Sequence, residues 1–171
     1  ANFLHSMCRQ PGLTDSDRLL AVTTRCFDIS LLELMLPLMC GAELHIASSA
    51  ASLDGYQLRD LIEREQITVL QATPATWQLL VNSGWDNPRD MQIWCGGEAL
   101  KTDLGAALQS VASRVVNLYG PTETTIWSAT RVLGQEAPPI PIGTPIDNTD
   151  LWVLNRAGQA LPPGFVGELA I

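Results

Sequence analysis

The strongest constraint on this chain is a regular alternation of short apolar runs with segments of helical period. The apolar runs stand at residues 19–23, 42–47, 67–72, 91–95 and 115–118, each of a length suited to a buried strand. Helical segments lie between them. Residues 1–10 carry Phe3, Leu4 and Met7 at helical spacing and close at Pro11 and Gly12. A second helix starts at Ser30, where Ser30 and Glu33 have the S-x-x-E spacing of a capping box, and closes at Gly41. Its apolar residues Leu31, Leu32, Leu34, Met35, Leu38 and Met39 run nearly all round, which predicts a deeply buried helix. Further helices are expected over 53–66, from Thr73-Pro74 to before Gly84, and over 102–113. Strand and helix alternating in this way require parallel strands with right-handed crossovers. The expected fold is therefore α/β, a flavodoxin-like doubly wound parallel sheet.

After Tyr119 the pattern becomes β-rich. Residues 126–132 suit a strand and 137–143 read as an extended proline-rich connector. Pieces near 151–154, 161–164 and 167–171 look like the start of a small C-terminal β-rich subdomain, so the division is drawn as 1–132 and 133–171. An uncapped helix at residue 1 and a strand running into Ile171 lead us to expect that the sequence belongs to something longer.

Composition narrows the function. The 171 residues carry a net charge of −8 and 46% hydrophobic content without a Lys/Arg cluster, which suits a globular domain and argues against a nucleic-acid backbone as partner. Every apolar run is broken well short of the roughly 18 residues that span a bilayer, and no signal pattern opens the sequence. A soluble, cytoplasmic protein is expected. Cys8, Cys26, Cys40 and Cys95 form no C-x-x-C pair, so they read as reduced core thiols rather than zinc ligands. His5 and His45 are isolated and read as structural.

Chemistry is concentrated at three strand ends, 27–30, 96–98 and 117–125, which a parallel sheet brings to one edge, where ligands collect. Gly96 and Gly97 allow a flat ring to approach the backbone, Tyr119 can stack on it, Thr122 can bind a phosphate oxygen and Glu123 can hold Mg²⁺. The set points to a nucleotide. Neither a G-x-G-x-x-G nor a G-x-x-x-x-G-K-[ST] sequence is present, so a dinucleotide fold and a P-loop are not supported. Asp28, just before the most apolar helix, is either a helix-start charge favoured by the dipole or a buried counter-ion for an ammonium group.

These residues resemble the adenylation domains of nonribosomal peptide synthetases, in the adenylate-forming superfamily. Phe27-Asp28-Ile29-Ser30 is similar to the family's F-D-x-S, residues 117–123 to N-x-Y-G-P-T-E, and Gly167-Glu168-Leu169-Ala170-Ile171 to the opening of G-E-L-x-I-x-G. The resemblance implies activation of an amino acid with ATP and Mg²⁺ to an aminoacyl-adenylate and pyrophosphate. Transfer to the phosphopantetheine thiol of a carrier (thiolation) domain would follow. It also implies roles: Tyr119 on adenine with Gly97, Glu98, Asn117 and Gly120 nearby, Thr122 on the α-phosphate, Glu123 on Mg²⁺ and Asp28 on the substrate ammonium. Thr122 and Glu123 are the implied catalytic pair.

The implied amino-acid pocket comprises Asp28, Ile29, Leu32, Gln71, Trp94, Gly96, Leu118, Ile126 and Trp127, with Ala72 the alternative to Gln71. Such bulky walls favour a very small substrate such as glycine, with alanine next; Trp94 departs from the aliphatic residue expected there. The family's phosphate loop would precede residue 1, and its ribose-binding Asp and catalytic Lys would follow Ile171, so this chain alone is expected not to catalyse adenylation. The alternatives are an acyl- or aryl-CoA ligase and a non-catalytic flavodoxin-like module.

Overall fold

The computed structural model describes residues 1–134 and 139–171. Five strands, β1 (Arg18–Ala21), β2 (Glu43–Ile46), β3 (Val69–Ala72), β4 (Gln92–Gly96) and β5 (Val115–Tyr119), are parallel in the order β2-β1-β3-β4-β5. That is the flavodoxin-like order, with the strand ends that carry the polar motifs on one edge. The helices are α1 (Asn2–Met7), α2 (Ile29–Cys40), α3 (Ser49–Ser52), α4 (Gly55–Arg64), α5 (Pro74–Asn82) and α6 (Thr102–Val111).

Alternate strand residues feed two cores, one on each face of the sheet. On one face Leu20, Leu70, Ile93, Cys95 and Val115 pack against Leu58 and Ile62 of α4, Trp77 and Leu80 of α5, and Leu104 and Leu108 of α6. On the other, Leu19, Val69, Trp94, Val116 and Leu118 pack against Phe3 and Met7 of α1 and Ile29, Leu32 and Leu36 of α2. Each fully buried Leu or Ile contributes about 1.5–3 kcal/mol. Helices this short do not persist alone in water, so it is these cores that hold them.

Several expectations are corrected. The helix expected over 53–66 is the shorter α4, which begins where Asp54 Oδ1 accepts the N–H groups of Tyr56 and Gln57 at 2.9 and 3.1 Å, and a separate short helix, α3, capped by Ser48, precedes it. Helix α2 is buried on one face only, since Leu31, Met35, Leu38 and Met39 are exposed. Its Ser30 and Glu33 do not form a capping box. Ser30 Oγ donates to the Phe27 carbonyl at 2.7 Å, while Glu33 turns into the core.

The cysteines also differ from expectation. Cys8 and Cys40 form a disulfide between the end of α1 and the end of α2, Cys26 is exposed, and only Cys95 is a buried thiol. Spacing in sequence gave no sign of the pair, because two helices bring its members together in space.

The sheet continues past Val132. Strand β6 (Ala129–Val132) runs antiparallel to β5, and β7 (Thr144–Pro145) pairs with β6, so the main sheet reaches beyond the division drawn at 132. Ala137 and Pro138 of the expected connector lie outside the described residues; the rest, 139–143, leads into β7. A separate two-stranded sheet, β8 (Trp152–Leu154) with β9 (Glu168–Ala170), follows. Among the described residues no helix is long and apolar enough to cross a membrane.

Candidate active site

The turn after β5 is built by close backbone approach. A Cβ on Gly120 would lie 2.5 Å from the Ile126 carbonyl oxygen and 2.6 Å from Trp127 Cα, so only glycine lets the two chain segments meet here. Ser128 N–H donates to the Tyr119 carbonyl at 2.7 Å, closing the loop. Within it Thr122–Thr124 make a 3-10 turn, and Thr125 and Ile126 follow with φ of 72° and 69°. Left-handed backbone at two successive β-branched residues costs on the order of 1–3 kcal/mol each. The loop is tied by Thr124 Oγ1, which donates to the Pro121 carbonyl and pairs with Ser128 Oγ at 2.6 Å. In consequence Ile126 and Trp127 turn inward while Thr122 and Glu123 stay exposed.

The inward residues meet the rest of the expected amino-acid pocket. Ile29, Leu32, Trp94, Leu118, Ile126 and Trp127 belong to one core cluster, with Trp94 0% and Trp127 1% exposed. Gly96 is where they converge. A Cβ there would lie 2.6 Å from Trp127 Cη2 and 2.7 Å from the Leu118 carbonyl oxygen, and Gly97 lies against Ile29 and Trp127. Register places Trp94 beside Gln71 and Gly96 beside Leu118.

Gln71, not Ala72, is the β3 residue on this side. Its Oε1 accepts the Trp127 indole N–H at 2.8 Å and its Nε2 donates to Glu33 Oε1 at 3.0 Å, whereas Ala72 packs in the opposite core. Asp28 sits at the N-cap of α2 in helical conformation, half-buried, and its carboxylate makes no capping hydrogen bond. This placement fits both a charge favoured by the helix dipole and a counter-ion for an ammonium group.

Beside this wall lies a cavity of about 710 Å³ at the ends of β4 and β5. Gly97, Glu98, Asn117, Tyr119 and Gly120 border it, and Leu118 and Trp127 separate it from the apolar cluster. Thr122 and Glu123 do not line it; they stand on the exposed turn that follows Pro121. Sequence reasoning missed the far wall. Leu100 and Lys101 precede α6, and Pro139, Ile140 and Ile142 come from the connector. Asn117 Nδ2 donates to the Pro141 carbonyl at 3.0 Å, which holds the connector in place. The connector carried no signal beyond its prolines.

Glu33 is the other residue missed, although its position four residues from Ile29 and three from Leu36 put it on the buried face of α2. It is 0% exposed. Its Oε2 accepts the N–H groups of Val22 and Thr23, each at 2.9 Å, and its Oε1 accepts from the Thr23 hydroxyl and Gln71. Burial pushes its carboxyl above the usual range, against the lowering effect of the bonds from Thr23, Gln71 and Val22. Burial, with a smaller contribution from the charge of Glu98, pushes the Cys95 thiol up to about 12. Among the described residues no three His, Cys, Asp or Glu side chains gather as a metal cage. A single exposed carboxylate such as Glu123 does fit Mg²⁺, which takes one or two carboxylates and completes its shell with phosphate and water.

Residues 1–171 match the family model of the AMP-binding enzymes along their whole length. The chain belongs to the AMP-binding enzyme family. It is 48% identical over 172 residues to a dimodular nonribosomal peptide synthase of Bacillus subtilis, covering 100% of this chain and 7% of that protein. Among solved structures it resembles a four-domain nonribosomal peptide synthetase bound to AMP and glycine, with a TM-score of 0.93 and 45% identity over 98% of this chain and 13% of that one. The Vibrio cholerae adenylation domain AlmE, in complex with glycyl-adenosine-5′-phosphate, aligns with a TM-score of 0.85 and 26% identity over 98% of this chain and 34% of AlmE. The chain therefore spans a small part of the length of these AMP-binding relatives.

Proposed function

We propose that this chain supplies the amino-acid- and nucleotide-binding portion of an adenylating enzyme of nonribosomal peptide synthesis, selective for glycine. The observation that carries the reading is the Trp127 ring closed over Gly96, with Ile29, Leu32, Trp94 and Leu118 filling the space behind it. A pocket floored in this way has room for hydrogen and little more. The nucleotide-sized cavity shares its boundary with that wall, so a bound carboxylate and an α-phosphate would be neighbours. The complexes of two relatives with glycine or a glycyl adenylate support the same substrate.

In the proposed reaction an oxygen of the glycine carboxylate attacks the α-phosphorus of ATP, the bond to the β-phosphate oxygen breaks, and pyrophosphate leaves. Asp28 pairs with the substrate ammonium, which orients the carboxylate toward the nucleotide. Tyr119 presents its ring to the adenine, and Thr122 donates its hydroxyl to a phosphate oxygen. Glu123 is the residue that would hold Mg²⁺, which supplies charge neutralisation for the phosphates when bound. In a second step the thiol of a carrier domain's phosphopantetheine would attack the acyl carbon and release AMP. The remaining parts of the enzyme are required, so the 171-residue chain by itself should give no robust exchange.

Amino-acid-dependent ATP–pyrophosphate exchange by the synthetase that carries these residues, run across the proteinogenic amino acids, tests the reading. Glycine should give the highest rate, with alanine next; preference for a large aromatic substrate would overturn it. Asp28→Ala should cost about 2–5 kcal/mol, the penalty for leaving a bound charge unpaired, which is roughly 30-fold or more in kcat/KM for glycine. Retained activity would instead point to a substrate without an amino group.

A further inference from the structure

We infer that Glu33 is a positioning residue for substrate selection, holding Trp127 at one wall of the pocket through Gln71 and the β1–α2 segment that leads to Asp28 at the other. The inference rests on the glycine-selective reading above for what the pocket holds, but not for the hydrogen-bond chain itself.

The chain has a fixed direction. The Trp127 indole N–H can only donate, so the oxygen of Gln71 must face it, and the Gln71 amide group must then face Glu33. Glu33 must accept there. On its other side it accepts the backbone N–H groups of Val22 and Thr23, so both carboxylate oxygens are committed to donors from opposite directions. One buried side chain is thereby bonded to a segment ending at Asp28 and, through one intermediary, to the ring that closes on Gly96. Removing an acceptor from a buried chain of donors leaves at least one donor unpaired, and that group cannot reach water.

Glu33→Gln is the informative change because it keeps volume and removes one acceptor. If its oxygen stays with Val22 and Thr23, its amide group opposes the amide group of Gln71. If Gln71 flips to relieve this, its own amide group opposes the Trp127 N–H. The exchanged pair, Glu33→Gln with Gln71→Glu, resolves the conflict at constant charge. Gln at 33 accepts from Val22 and Thr23 and donates to the carboxylate at 71, which in turn accepts from Trp127.

Hydrogen exchange of the indole N–H groups, followed by NMR in the 171-residue chain, reads the relay without reference to activity. Glu33→Gln should speed exchange at Trp127 by about tenfold, the size expected for one compromised buried hydrogen bond, and the exchanged pair should restore it. Trp77, whose indole N–H donates to the Trp94 carbonyl at 3.1 Å outside the relay, should be unaffected in both. Equal acceleration at Trp77 and Trp127, or failure of the exchanged pair to restore protection or to fold, overturns the relay.

In the complete synthetase Glu33→Gln should raise KM for glycine and lower the glycine-to-alanine preference by about tenfold, leaving KM for ATP within twofold; the exchanged pair should recover both. An intact preference alongside fast Trp127 exchange would overturn the link to selection. A wild-type enzyme that activates no small amino acid would overturn the proposed function, and the link to selection with it, while leaving the relay standing.

Discussion

The apolar wall around Gly96 and the exposed turn after β5 are neighbours in sequence and opposites in construction. Trp94 and Leu32 are buried by packing, and Trp127 and Gln71 are buried and joined by a directed hydrogen bond, whereas Thr122 and Glu123 stand exposed on a 3-10 turn. The contrast teaches where precision is required. Discrimination between glycine and alanine rests on a single methyl group, which only a wall at interior packing density can exclude. In the proposed reading, phosphate and metal contacts fall to groups that need charge and reach, and these can stay exposed.

The contrast would break if turn and wall substitutions behaved alike. Glu123→Gln should lower kcat for ATP–pyrophosphate exchange by about 10²-fold, in the range found when a charge-stabilising group is removed, while thermal melting stays unchanged because the side chain is exposed. Gly96→Ala should do the reverse. Its methyl group meets Trp127 Cη2 at 2.6 Å and the Leu118 carbonyl at 2.7 Å, so calorimetry should read a loss of about 1–3 kcal/mol from overpacking, with KM for glycine rising and KM for ATP little changed.

Smaller effects sharpen the same division. The folded-state pKa of Glu33 is raised above 4.5, so the folded chain keeps this proton to higher pH than the unfolded chain. Its contribution to stability is fully present below 4.5 and declines as pH rises through the folded value. Urea melts at pH 4 to 7 should therefore show the stability of Glu33→Gln improving relative to the wild type as pH rises; a flat difference would mean that the carboxyl does not titrate abnormally. Asp90 acts with opposite sign, being held below 3.8 by the Ser113 hydroxyl and N–H, and loses its contribution as pH falls.

Thiol labelling gives the smallest signal. At pH 8 a thiol reagent should modify exposed Cys26 and leave Cys95 unmodified, as burial and a pKa of about 12 predict; mass spectrometry after digestion reads both sites.

Much of this arrangement was legible in the sequence, for a physical reason. Strand and helix periods are local, so the alternation gave the five parallel strands and the edge on which Asp28, Gly97 and Tyr119 gather. What escaped were features settled by three-dimensional neighbours. Glu33 read locally as half of a capping box, and only the docking of α2 beside Thr23 and Gln71 makes it a buried acceptor. The outer face of α2 is apolar yet exposed, so apolar content overstated its burial. The cysteine pair and the connector wall likewise depend on contacts between distant segments, Cys8 with Cys40 and Asn117 with Pro141.

Strand β5 carries Leu118 toward the apolar cluster and Asn117 and Tyr119 toward the cavity and its connector. Because side chains alternate at every residue, inserting or deleting one residue in this strand would exchange the two sets completely. The proposed specificity wall is thus open to substitution at fixed length, while length variation must be confined to segments outside the β4–β5 pairing. On the proposed reading, a library built to widen the accepted amino acid would vary Trp94, Ile126 and Trp127 and keep the length of the strand intact.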